Sequence, residues 1–298
     1  MSELVSDPVY VAARAVLLDA LQALGEHRSA AVVVGAQAVY LQTGDAGLSV
    51  APFTSDGDLA LDPAAVLLVE DPLLGEAMEA AGFELRINAR GGLDPGTWLK
   101  YTVVEGHAFR VPVDLIIPRG TLLAAGNTRG ARLGVHGKTA AMQTRGLEAV
   151  LVDQQVMTVT DLGPGDCRHV SVAVAGVGAL LVAKVIKLRE RVNGRPGRLK
   201  DKDAGDIYRL IRATPVDVMA ARLDQLRRDN LAGSITAEAV DGLEPLFRAQ
   251  SSPGVTMAVR AVEQDVPAAR VIAQMTTYVM QLRHQLTKLS GVDTAADR

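Results

Sequence analysis

The chain has 298 residues, 48% hydrophobic and 22% charged, a globular composition sufficient for one large core or two modest ones. A net charge of −3 excludes a surface coated in basic residues but allows a local positive patch, and 3% aromatics argue against base-stacking platforms of the RRM or OB kind. The single cysteine, Cys167, excludes a disulfide framework or multi-cysteine zinc site and reads as a buried or incidental thiol.

In chain order, Pro8 to Glu26 is expected to be an amphipathic helix. Val9, Ala13, Val16, Leu17, Ala20, Leu21 and Leu24 recur at i, i+3, i+4 spacing, with Asp7 as N-cap and Pro8 at the first helical position. A strand Ala30–Val34, the glycine Gly35 and a short helix Ala36–Gln42 follow. A loop through Gly44, Gly47 and Pro52 then leads to a strand at Gly57–Leu61. Pro72–Ala81 is expected to be helical, closed by Gly82. Phe83–Ile87, Trp98–Val104 and Phe109–Ile117 read as strands, the last two as a hairpin around Gly106. Pro112 places the start, or an edge, of the third strand. Further strands are expected at Ala149–Val152, Val156–Thr160 and His169–Val174. From Leu180 the pattern is helix after helix, starting with about Val177 to Arg191; Pro215 to Leu289 supplies four or so more, and the last residues are expected to fray. The pattern predicts an α/β mixed sheet with flanking helices over residues 1–174 and a helical bundle over 175–298.

The chemistry concentrates in Thr54-Ser55-Asp56-Gly57-Asp58. On a strand, Asp56 and Asp58 face the same way, and two adjacent carboxylates are unfavourable unless a cation sits between them or one takes a proton. A strand, a glycine turn, a helix and an Asp-x-Asp strand together suit a nucleoside triphosphate with its Mg²⁺; the competing reading of Ser-Asp-Gly-Asp is a surface turn. Asp114 interrupts the apolar run Val111–Ile117 and must be paired, coordinated or protonated, either as a structural salt bridge or as a third carboxylate beside the first two. Gly134–Thr139 lacks the first glycine of a Walker loop, and Gly176-Val177-Gly178 lacks the third glycine of a dinucleotide fingerprint, so both read as turn glycines. Lys184, Lys187 and Arg191 share a helix face, and eight Lys/Arg stand against two acids between Lys184 and Lys202. No apolar segment reaches a bilayer span, since Val170–Leu181 is too short. The N-terminus, with Glu3 and Asp7, has no basic signal-peptide region, so a cytoplasmic protein without membrane partners is expected.

The order Val34-Gly35-Ala36, Asp56-x-Asp58, Val113-Asp114-Leu115, then Ala183-Lys184…Leu188 and Asp206-Ile207-Tyr208, resembles the AbiEii-type nucleotidyltransferases. That family includes the MenT toxins of toxin–antitoxin systems and belongs to the DNA polymerase β-like superfamily. The resemblance spans roughly Ala30 to Ile211 and implies a Mg²⁺-dependent enzyme that adds nucleotides from NTP to the 3′ end of tRNA and is neutralised by a cognate antitoxin. Carried over, Asp56, Asp58, Lys184 and Asp206 would be catalytic, with Lys187 and Asp203 as alternative registers. Asp56, Asp58 and Asp114 would hold the metal; Gly35, Ala36, Ser55, Lys184 and Lys187 would bind nucleotide; Lys187, Arg191, Arg195 and Arg198 would contact RNA. Thr54 and Ser55 stand where some members are silenced by phosphorylation. The family turn is usually Gly-Gly or Gly-Ser, so Gly35-Ala36 lacks a phosphate-contacting hydroxyl. Transfer to a protein or small molecule, or a degenerate binding module, remain the alternatives.

Overall fold

The computed structural model describes residues 7–44, 46, 48, 53–122, 128–194 and 201–296, with side chains given up to 290. Asp7 caps α1 (Pro8–Ala23) by accepting from the backbone N–H groups of Val9 (2.8 Å) and Tyr10 (3.3 Å), as its position before Pro8 predicts. The apolar stripe of α1, including Ala13, Leu17 and Leu21, is buried against the sheet. β1 (Ala31–Val34) is buried along its whole length because it is paired on both sides, which is why its sequence is an unbroken Ala-Val-Val-Val. It runs directly into α2 (Gly35–Thr43).

The chain continues through β2 (Gly57–Leu61), α3 (Pro63–Val66), α4 (Leu74–Ala80), β3 (Glu84–Ile87), β4 (Leu93–Val104), β5 (His107–Pro118), β6 (Met142–Thr144), β7 (Gln154–Thr160) and β8 (His169–Ala175). Among the described residues these form one mixed sheet of eight strands, ordered β3-β4-β5-β2-β1-β8-β7, with β6 also paired to β5. β1–β8, β2–β5 and β5–β6 are parallel; the other pairings are antiparallel. β4 pairs with β5 only from Thr97 onward; just before it, Gly96 N–H bonds to Thr139 O (2.8 Å), and β6 takes the same flank of β5 from Ile116 to Pro118.

Among the described residues six helices follow: α5 (Val177–Val192), α6 (Asp201–Ala213), α7 (Val216–Arg227), α8 (Gly233–Phe247), α9 (Pro253–Val262) and α10 (Ala268–Ala296). α5 and α6 pack on α2, and one apolar core runs without a break from α1 to α10. The α/β class and the C-terminal helical region are therefore as the sequence pattern indicates. No helix of the described residues is long and apolar enough to cross a membrane.

Several expectations need correction. Ala149–Val152 is not a strand: Glu148–Leu151 forms a 3-10 turn whose exit places Asp153 on the start of α5, where its carboxylate accepts from Ala179 N–H (2.9 Å). Pro112 lies inside β5 rather than at its start, at a position where only β4 flanks the strand and its other side is an edge. β2 begins to pair only opposite Val113, so the missing N–H costs no bond on that side. β4 starts at Leu93, ahead of Pro95 and Gly96, because Ile87 of β3 pairs with it there. α10 is helical through Ala296, and the last two residues, where fraying is expected, lie outside the described residues. Cys167 is exposed, which leaves the incidental reading and removes the buried one.

Candidate functional site

The sheet register brings the first carboxylates together. Val34 pairs with Asp58 across β1–β2, and Asp58 pairs with Asp114 across β2–β5, so the two aspartates are direct neighbours on adjacent strands. The Asp58 carboxylate lies against the start of α2. Gly35 has φ +70°, and a methyl group built on it would collide with Asp58 Oδ2 and stand 2.8 Å from Asp58 Cγ. Glycine is thus needed there for both backbone and space.

The three carboxylates differ electrically. Burial, then the charges of Asp56 and Asp114, raise the Asp58 pKa to about 7, against the pull of Lys187 and Lys184. Burial also raises Asp114, opposed by the neighbouring Thr97 hydroxyl, and Asp114 Oδ1 has no hydrogen-bond partner among the described residues. Asp56 behaves oppositely. Burial pushes its pKa up, but Lys202 and the Thr54 hydroxyl outweigh that and hold it below the usual carboxylate value.

Asp58 couples the stability of the fold to pH. Its folded pKa is above its unfolded one, so its contribution is fully favourable below about pH 4 and is lost as pH rises towards about 7. The metal-free wild type is expected to lose stability relative to Asp58→Asn across that window. Paired thermal melts from pH 4 to 8 check this; parallel curves would show that Asp58 does not titrate there.

The cations come from α5. Lys184, expected to face the carboxylates, is buried; its Nζ donates to Asp206 Oδ2 (2.5 Å) and lies 3.7 Å from Asp203 Oδ1. Asp203 also takes Lys187 (3.5 Å) and a charge-assisted bond from Arg191, so one buried carboxylate of α6 orders three cations of α5. Burial, then the charge of Lys184, lowers the Lys187 pKa. A cleft of about 300 Å³ separates sheet from helix. Val34, Gly35, Asp58 and Asp114 line one side, and Ala183, Lys184, Lys187 and Arg191 the other. Its volume is at the small end of the usual range for ligand pockets.

Of the expected residues, Gly35, Asp58, Asp114, Lys184, Lys187 and Arg191 therefore meet in one cleft, with Asp206 directly behind Lys184. Ala36 is buried in α2 and Ser55 is half-buried before β2; neither lines the cleft. Thr54 is fully buried, with its hydroxyl bonded to Asp56 and Lys202. Arg195 and Arg198 lie outside the described residues. Asp56 is the exception. Its Oδ1 turns to Thr54 and to Lys202 (3.9 Å), and among the described residues no three acidic, histidine or cysteine side chains form a ready cation cage.

Sequence reasoning missed two parts of this site. Met142, Thr144 and Arg145 form a further wall, with Arg145 held by Glu238 of α8; nothing in the local sequence marks them. Lys202 stood within the basic stretch but was not tied to Asp56. The chemistry of Asp58 and Asp114, two neighbouring carboxylates of which one has a buried oxygen without a partner among the described residues, is that of ligands for a hard, oxygen-seeking cation. The chain matches no protein-family model and no curated protein.

Proposed function

We propose that this protein is a Mg²⁺-dependent nucleotidyltransferase with a polymerase β-like fold, which transfers nucleotides from NTP to the 3′ acceptor end of tRNA. In this reading it is a cytoplasmic toxin that blocks translation and is paired with an antitoxin. One observation carries the proposal: Asp58 and Asp114 of the sheet face Lys184 and Lys187 of α5 across a single cleft, the arrangement expected of a site that grips a metal-bound triphosphate. Residues 1–174 supply the carboxylates, and 175–298 supply Lys184 and Asp206.

In the reaction the acceptor 3′-hydroxyl oxygen bonds to the α-phosphorus, the bond to the bridging oxygen breaks, and pyrophosphate leaves. Mg²⁺, held by Asp56, Asp58 and Asp114, would neutralise the charge that develops on the phosphates. Lys184 meets a phosphate as a point charge, and Asp206, at 2.5 Å, fixes its direction. Asp114 Oδ1, free of partners among the described residues, is available to the proton that leaves the hydroxyl. The start of α5, a common anion site, is filled by Asp153, so the phosphates rely on side-chain cations.

Incubation of the protein with labelled NTPs and total tRNA is expected to give 3′-extended tRNA, lost in Asp58→Ala. Label that enters protein instead of RNA would replace the acceptor; no label in either, with no Mg²⁺-dependent NTP binding, would sink the enzyme. The orientation of Asp56 towards Lys202 favours, as a second reading, a binding module without turnover, and the same assay separates the two.

A further inference from the structure

Lys202 differs from the other cations near the site. It is the second residue of α6, it does not line the cleft, and its ammonium reaches back to the approach of β2. There Nζ donates to Thr54 Oγ1 (2.7 Å) and lies 3.9 Å from Asp56 Oδ1. Thr54 is fully buried, and its single hydroxyl proton is spent on Asp56 Oδ1. The hydroxyl thus accepts from the ammonium and donates to the carboxylate, a chain in which each bond polarises the next. The backbone of Asp56 is fixed separately: its carbonyl accepts from Gln37 Nε2 (3.2 Å), and Gln37 is held by the buried Arg14 (2.7 Å). What Thr54 and Lys202 control is the carboxylate itself.

We propose that Lys202 is a resident counter-ion that occupies Asp56 in the nucleotide-free protein and competes with the divalent cation for it. The inference rests on the reading that Asp56 and Asp58 hold a metal. It accounts for the engagement of Asp56 Oδ1 by Thr54 and Lys202 while Asp58 and Asp114 stay side by side. Positive charge at Lys202 and at the metal site repel each other, and both draw on one carboxylate. A metal arriving alone must displace the ammonium without compensation. A metal arriving with a triphosphate brings negative charge that offsets its repulsion by Lys202, so cation and nucleotide bind cooperatively.

The probe is Mn²⁺ alone, titrated by EPR into nucleotide-free full-length protein as wild type, Lys202→Met, Lys202→Arg and Asp58→Asn. Methionine keeps the length of the stem without its charge. Lys202→Met is expected to bind Mn²⁺ about tenfold more tightly than wild type, a figure moderated because both partners are partly exposed. Lys202→Arg is expected to bind like wild type, and Asp58→Asn much more weakly. If Lys202→Met binds no better than wild type while Asp58→Asn loses binding, the competition is refuted and the metal site stands. If no variant binds Mn²⁺, Lys202→Met included, the metal reading falls and takes this inference with it.

Discussion

Lys184→Met is expected to abolish nucleotide transfer and to destabilise the fold by about 3–5 kcal/mol, because it leaves a buried charge without its partner. Asp206 is 2% exposed and its carboxylate faces Lys184 Nζ at 2.5 Å. Asp203 suffers less, since Lys187 and Arg191 remain beside it. The structural and chemical roles separate in the double variant Lys184→Met/Asp206→Asn, which removes both charges. Its unfolding midpoint in urea should return most of the way to wild type, while transfer stays at least about a hundredfold down, the usual scale for losing one charge-stabilising donor. Recovery of transfer along with stability would show that Lys184 only supports the packing.

Gly35→Ala is the second large effect. The new methyl would collide with the Asp58 carboxylate, and a displacement of about 1 Å at a reacting centre costs on the order of a hundredfold in rate. Alanine at φ +70° also carries about 1–2 kcal/mol of backbone strain. Gly44, at the other end of α2, has φ +55° with nothing near the place its methyl would take, so Gly44→Ala imposes the strain without the collision. Both variants should lose stability in thermal melts, Gly35→Ala the more because it adds the collision, but only Gly35→Ala should lose transfer. Equal loss of transfer in both would assign the effect to the backbone of α2.

The central strands and their glycine turn were legible because a strand paired on both sides must be apolar throughout, and Ala31–Val34 can be little else. The face of Lys184, Lys187 and Arg191 was legible for a different reason: helical spacing alone puts them on one side. The same reasoning failed at Ala149–Val152. An apolar, partly β-branched run reads as a strand, but it forms a 3-10 turn, and the Asp153 that follows it accepts from Ala179 N–H at the start of α5, a contact no local pattern encodes. β6 was invisible because three residues carry no periodicity, and its pairing depends on β4 joining β5 only from Thr97 onward. The link from Lys202 to Thr54 spans 148 positions, and no local pattern encodes it. Local physics thus located the carboxylates and the lysines, while tertiary pairing decided how Asp56 is held.

β6 is fastened almost entirely through its main chain. It pairs with Ile116–Pro118 on one flank and with the segment around Gly130 on the other, where Gln143 N–H bonds to Arg129 O (2.7 Å) and Ala131 N–H to Ala141 O (2.9 Å). The inward-turned Gln143 side chain reinforces that hold by donating to Gly130 O (3.1 Å), while Met142 and Thr144, one position to either side, line the cleft. Mutations at those two positions alter the pocket wall without removing a bond that holds the strand. Gene duplication followed by drift there would therefore yield descendants that share a scaffold and differ in diet.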